Sequence, residues 1–357
     1  MPLSYVLEMI GHAEQCVERY RELANCKQEQ LKQVATPCID DHNFSTEDFT
    51  QKGVLSSQAA RIVLKCLYLA LHGRPDILWS VNSLAREVTR WTVACDQRLW
   101  RLISYIRSTT DWGLTSIIGN KAGECKIALY VDSNFAGDLK DSKSTSGCFM
   151  ALVGSNTFAP ISWFCKKQTA VSHSSSEAEV IALDAGMRME GIPLVVLWEQ
   201  ILDVLYPTTQ IPKQPRRPML TSEEAITHTL QKVDFVPYVL PKPAGRAKLQ
   251  ILEDNEAVIK MTLKRRSPAL RHVVRTHRVD LDWLFELIDG DPSIFIRHVK
   301  TQDQIADFLN KGQFTAQQFS HICRLAQVGQ LNSSSHKIVM ANRSSKPVEL
   351  TQPKPQK

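Results

Sequence analysis

The chain has 357 residues, 43% apolar and 22% charged, a globular balance long enough for two or three cores and unlike a disordered chain. No run of eighteen apolar residues occurs, which argues against a helical membrane span. The opening MPLSYVLEMIGHAEQ lacks the basic start, long apolar centre and cleavage site of a secretory leader, so an intracellular, non-secreted protein without a membrane partner is expected. Forty-three Lys and Arg against thirty-seven Asp and Glu leave only +6, too mild a bias to define a nucleic-acid binder by itself. Nine cysteines lie singly with no paired ligand spacing, which argues against a disulfide framework and a structural zinc site.

Residues 1–54 read as one short helix, with Val17, Tyr20, Leu23 and Leu31 as its apolar positions, followed by a polar, acidic linker. Over 55–120 apolar residues recur at helical spacing in SQAARIVLKCLYLAL, ILWSVNSLAREV and DQRLWRLISYI, which predicts three helices. Gly73 closes the first of them and Pro75 opens the second. Within 121–328 the period changes: KIALYVDSNF, GCFMALVG and APISWFCKK predict three antiparallel strands. A long helix is expected from about Ser176 to Leu202, bent near Gly191 or Pro193. The stretch 206–247 holds seven of the seventeen prolines and reads as an inserted loop with a short helix near 222–230. KLQILED and SIFIRHV predict strands, and NEAVIKMTL, HRVDLDWLFELI and TQDQIADFLNK predict helices. Residues 329–357, rich in Ser, Lys, Pro and Gln, are expected to be a disordered tail. The resulting order, β-β-β-α-β-α-α-β-α, defines an α/β fold: a mixed five-stranded sheet with flanking helices, preceded by a small helical subdomain.

Four acids fall where a sheet-based metal site wants them. Asp132 ends ALYV, Glu179 lies one turn into the long helix, Asp254 ends LQILE, and Asp307 lies in the last helix. Carboxylates gathered at one rim of a sheet repel one another without a cation, and an all-oxygen donor set selects Mg²⁺ or Mn²⁺. Phosphodiester hydrolysis by two such ions, about 3.5–4 Å apart, is a common use of such a site. Each acid also has a plain structural reading. Asp132 could be a turn residue, Asp254 an N-cap, Glu179 the partner of Ser176 in a capping box, and Asp307 a first-turn acid complementing the helix dipole. A second box, Ser174 with Glu177, would leave Glu179 free to face the sheet.

At these residues the chain resembles the ribonuclease H domain of copia-type LTR retrotransposon polyproteins. The family's D-x-D-W-A-G-D run followed by K/R-S-T-S-G is similar to YVDSNFAGDLKDSKSTSG, and its W-x-S-K-K-Q to SWFCKKQ. Its S-S-x-E-A-E-Y-I-A-L is similar to SSSEAEVIAL, D-N-Q-S-A-I to EDNEAVI, K-H-I-D-I-R to THRVDLD, and A-D-I-L-T-K to ADFLNK. Upstream, CLYLALHGRPDILWSVNSLAREVTRW is similar to the stretch joining reverse transcriptase to ribonuclease H, so the resemblance covers roughly residues 55–311. It implies a ribonuclease H-like fold preceded by the helical end of a reverse transcriptase region. It also implies two Mg²⁺ or Mn²⁺ ions on Asp132, Glu179, Asp254 and Asp307, and cleavage of the RNA strand of an RNA–DNA hybrid in a cytoplasmic particle or the nucleus. Departures are Asn134 for the second Asp, Phe135 for Trp, Val180 for Tyr, and the long loop. None removes a carboxylate of the set. YVDS lacks the second Asp of a polymerase site, so the polymerase is expected to lie upstream as a partner.

The segment Lys264–Arg278 carries six Lys and Arg and no acid. Arg265, Arg266, Arg271, Arg275 and Arg278 are therefore expected on a polyanionic backbone, with Lys143, Ser144, Thr145, Ser146, Lys166 and Lys167 as further phosphate or 2′-hydroxyl contacts. His272, His277 and His298 are read as packed before catalytic, and Trp79, Trp91, Trp100, Trp163 and Trp283 as core before base-stacking. The competing function is a remnant of the same fold that binds nucleic acid without cutting it. An integrase-type nuclease is disfavoured because Glu comes second here and the last acid is Asp.

Overall fold

The computed structural model describes residues 3–138, 140–207, 246–265, 270 and 272–331. The short helix expected at 222–230 and the tail from 332 lie outside them. Where the hydrophobic period changes, β3 (Lys126–Asn134), β4 (Thr145–Gly154) and β5 (Thr157–Lys167) pair antiparallel in chain order. On the other side of β3, β6 (Leu249–Glu253) and then β7 (Ile294–His298) join in parallel. Parallel neighbours need a crossover, and helices supply it. Before β6 come α5 (Ser175–Gly186) and α6 (Ile192–Leu205). Before β7 come α7 (Glu256–Leu263), the single turn α8 (Val273–Thr276) and α9 (Leu281–Gly290).

Both faces of β3 are covered, which is why its sequence is a nearly unbroken apolar run. Ile127, Leu129 and Val131 pack with Val180, Leu183, Phe285 and their neighbours. Ala128 and Tyr130 face a second core shared with the helices of the first hundred residues. The expected bend between α5 and α6 is a turn of π-helix, Met187–Gly191. A Cβ on Gly186 would come 2.7 Å from Val131 Cγ1, so α5 reaches β3 this closely only with glycine there.

Among the described residues the sheet has eight strands, not five, in the order β1-β2-β5-β4-β3-β6-β7, with β8 on β2. The additions are β1 (Leu3–Leu7), β2 (Trp112–Ile118) and β8 (Val328–Gln330). All five residues of β1 are exposed, so LSYVL carries no inside–outside alternation to read. Strand β8 is three residues long and runs from Val328 two residues into the stretch expected to be a tail. The N-terminal segment is likewise packed and does not run free: Ala13, Cys16 and Tyr20 of α1 (Ile10–Ala24), with Leu31, enter the same core as α2 (Ala59–His72), α3 (Leu78–Ala85) and α4 (Val93–Ser108).

Gly73-Arg74-Pro75 does end α2, but its larger role is electrostatic. Arg74, 1% exposed, donates through Nε and Nη2 to both oxygens of Asp76 at 2.9 and 2.8 Å. It also donates to the Thr109 carbonyl at 2.8 Å and Oγ1 at 2.7 Å, while the Tyr105 hydroxyl donates to Asp76 at 2.8 Å.

The last expected helix, TQDQIADFLNK, is two 3-10 turns, Thr301–Asp303 and Ile305–Leu309. Gln304 interrupts it. Its extended backbone lets the side-chain amide donate to the carbonyls of Val131 at 2.9 Å and Leu252 at 3.3 Å, tying the segment to the ends of β3 and β6. The helix α10 (Ala316–Leu325) follows.

Candidate active site

The strand ends and the 305–309 turn bring the four sequence-selected acids into one electrostatic cluster. Asp132 on β3 is 2% exposed, and its Oδ2 accepts from Asn310 Nδ2 at 2.7 Å. Lys311 Nζ lies 3.0 Å from that same oxygen and 2.7 Å from Asp307 Oδ1. Asp307 is close enough for its charge to raise Asp132. On α5, Ser174 caps the helix by accepting from Glu177 N at 3.1 Å, and Glu177 in turn accepts from His173 N at 2.9 Å. That offset box leaves Glu179 uncommitted, buried, with Oε2 lacking a hydrogen-bond partner. Asp254 follows β6, where burial and the charge of Asp132 act on it; the N-cap of α7 is Asn255, which accepts from Ala257 N at 2.9 Å.

Sequence reasoning missed three members. Glu253, fully buried, has Oε2 unpartnered; as the last residue of β6 it shares the face of Leu249 and Ile251, the face on which α5 packs. An acid in phase with two core residues was the available signal. Asn310 and Lys311 had only the spacing of Asp307 and Lys311, one helical turn, to announce them.

Every acid of the cluster is held protonated more firmly than usual. Burial, then the charge of Asp307, push Asp132 up to about 7 against the pull of Lys311 and Asn310. Burial, then Asp132, Glu253 and Asp254, raise Glu179. Burial raises Glu253, Asp254 and Asp307 as well. Between an unfolded value near 4 and about 7, folding takes up a proton at Asp132. Its contribution to stability therefore falls as pH rises through that window, and the cost is complete above it. In EDTA the thermal midpoint should carry this decline, and Asp132→Asn should flatten it; identical pH slopes for the two proteins would refute the coupling.

Opposite Asp132 in the β3–β4 register stands Gly147. A Cβ there would lie 2.6 Å from the Ala306 carbonyl oxygen, 3.1 Å from Leu309 Cβ and 3.2 Å from Asn310 Nδ2. This glycine makes room for the turn that carries Asp307. Gly147→Ala should cost about 1–3 kcal/mol in urea unfolding, as overpacking does, and weaken the Asn310 contact to Asp132; a loss under about 0.5 kcal/mol would show the turn to be pliant.

The expected backbone contacts divide. Arg275 and Arg278 are exposed, and Arg265 is paired with Asp289. Arg266 and Arg271 lie outside the described residues. Lys166 is exposed and Lys143 half-buried, but Lys167 is neutralised by Asp138 and Asp141. Ser144, Thr145 and Ser146 are buried; Ser144 accepts from Ala136 N and Ser146 from Gln168 Nε2, so they brace the site from inside. His272 and His277 both approach the Glu177 carboxylate at 3.2 Å, His277 with its side chain 1% exposed. His298 is exposed at the end of β7.

The orphaned oxygens of Glu179 and Glu253 and the raised acids fit a hard cation in chemistry. Among the described residues, however, no group of three or more His, Cys, Asp or Glu side chains stands ready to hold a metal ion; an ammonium, Lys311, lies between Asp132 and Asp307 instead.

This is an α/β protein with a buried carboxylate centre at its strand ends. No protein-family model and no solved structure matches the chain. It is similar to a secreted RxLR effector protein of Plasmopara viticola, 35% identical over 117 residues, which are 33% of this chain and 78% of that protein. An uncharacterised mitochondrial protein of Arabidopsis thaliana is 32% identical over 182 residues, 51% of this chain and 69% of that one. The retrovirus-related Pol polyprotein from transposon RE1 of Arabidopsis thaliana is 34% identical over 157 residues, 44% of this chain but only 10% of the polyprotein. The chain's homologues thus include copia-type retrovirus-related Pol polyproteins, RE1 and likewise RE2 of Arabidopsis thaliana, of each of which it spans about 10%. Among the described residues no helix is long and apolar enough to cross a membrane.

Proposed function

We propose that the chain is a metal-dependent endonuclease of ribonuclease H type, part or remnant of a retrotransposon polyprotein, that hydrolyses the RNA strand of RNA–DNA hybrids. In this reading residues 121–328 are the ribonuclease H-like unit and 55–120 the helical end of a reverse transcriptase region whose polymerase lies upstream. The observation that carries it is the nearness of Asp132, Glu179, Asp254 and Asp307, distant in sequence, at one end of the sheet, with Asp132 and Asp307 joined through Lys311 and Asp132 and Asp254 both acting on Glu179. Two Mg²⁺ or Mn²⁺ ions held by these carboxylates would supply water activation and stabilisation of the leaving oxygen. The chain's own part is to aim the acids: Gln304 pins the Asp307 turn to β3 and β6, and Asn310 orients Asp132. The exposed Arg275 and Arg278 add shape-tolerant, salt-dependent attraction for a backbone.

The test is cleavage of end-labelled RNA in a hybrid by the full chain. RNA fragments with Mg²⁺ or Mn²⁺, none with EDTA and none from a DNA duplex are the expected outcome; intact RNA under both metals would sink the proposal. Lys311 lodged among the acids favours a second reading, a non-cutting binder, marked by salt-sensitive hybrid binding without cleavage.

A further inference from the structure

We propose that Lys311 is a built-in cation that neutralises the carboxylate cluster in the metal-free chain and must leave its place before a divalent ion can join Asp132 to Asp307. The inference rests on the metal-centre reading above. Among the described residues, Lys311 is the sole Lys, Arg or His that ion-pairs with any of the five acids, and it pairs with two of them. Its ammonium donates to Asp307 Oδ1 at 2.7 Å and lies 3.0 Å from Asp132 Oδ2. A metal ion needs the lone pairs of those same oxygens, so the two cations exclude each other. The remaining acids have no such partner: Glu179 Oε2 and Glu253 Oε2 are buried without a hydrogen bond, so one ammonium leaves their lone pairs unmatched. A divalent ion brings more charge to the same place and should win.

The exchange has a path. Lys311 is anchored by its backbone, with its N–H donating to the Asp307 carbonyl at 2.9 Å, while its side chain is 30% exposed. The four-carbon stem can swing the ammonium into water without moving the turn that carries Asp307. Metal affinity then includes the cost of evicting the lysine, and the fold survives without metal because the lysine is there.

The test compares wild type with Lys311→Met, similar in length and uncharged, using Mn²⁺ titration followed by the EPR signal of the free ion, and thermal unfolding in EDTA. Mn²⁺ should bind the variant at least about tenfold tighter, since an ammonium in contact with two carboxylates no longer competes. The variant's midpoint in EDTA should be lower than wild type's, and Mn²⁺ should raise it more. A second measurement needs no variant: acetylation of Lys311 in the wild-type chain, read by mass spectrometry, should increase when Mn²⁺ is added. If the variant does not fold, this labelling decides. Wild type that binds Mn²⁺ with unchanged Lys311 labelling, or a variant of equal or weaker Mn²⁺ affinity, overturns the role of Lys311 alone. Absence of Mn²⁺ binding in both proteins overturns the metal-centre reading and this inference with it.

Discussion

Asp132→Asn should lower hybrid cleavage by about a thousandfold or more, the effect of withdrawing several kcal/mol of charge stabilisation from the reacting phosphate, while the chain stays folded. Asp132 sits at the centre of the cluster: its charge raises Glu179, Glu253 and Asp254, and its side chain meets Asn310 and Lys311. The amide keeps an acceptor for Asn310 and Lys311 but removes a carboxyl that burial and Asp307 make costly to ionise. At neutral pH in EDTA the variant should therefore be no less stable than wild type, and loss of activity cannot be put down to unfolding. Cleavage rates and thermal midpoints on the same preparations check both halves. Activity within tenfold of wild type would remove Asp132 from the chemistry.

Arg74→Met should be the most damaging change to the fold away from the cluster, at about 3–5 kcal/mol. The guanidinium is flanked by the rings of Tyr105 and Trp112, each 5.7 Å from its carbon, and Asp76 is 1% exposed. Without the arginine, Asp76 keeps only the Tyr105 hydroxyl, and the Thr109 carbonyl loses its side-chain donor. An isolated buried carboxylate is what makes breaking such a pair costly. Replacing both partners, Arg74→Met with Asp76→Leu, should recover part of the loss, and the double-mutant cycle from urea unfolding isolates the pair. A single-variant cost below about 1 kcal/mol would mean that water reaches Asp76.

How far each feature could be read in advance depended on whether its cause lay within a few residues. The runs at 126–167 announced β3 to β5 because a strand covered on both faces is apolar nearly throughout. The choice of Glu179 over Glu177 could be posed from the Ser174 spacing, since an N-cap acts on a residue three positions on. Strand β1 gave no such sign: its pairing with β2 joins residues more than a hundred apart, and its side chains bury nothing.

The residues themselves determined which groups are available: four acids in a family-like order, a basic segment, and alternating elements able to build a mixed sheet. Only the tertiary structure decided which of those groups are charged, paired or hidden. Ser144 and Ser146 turned inward, Lys167 acquired two acids, and Glu253 entered the cluster. Gln304 broke a helix to bridge two strands, its contact to Val131 spanning 173 positions. Burial and electrostatic coupling depend on distances in space, and contacts over such separations are settled when the sheet closes, leaving no periodic trace along the chain.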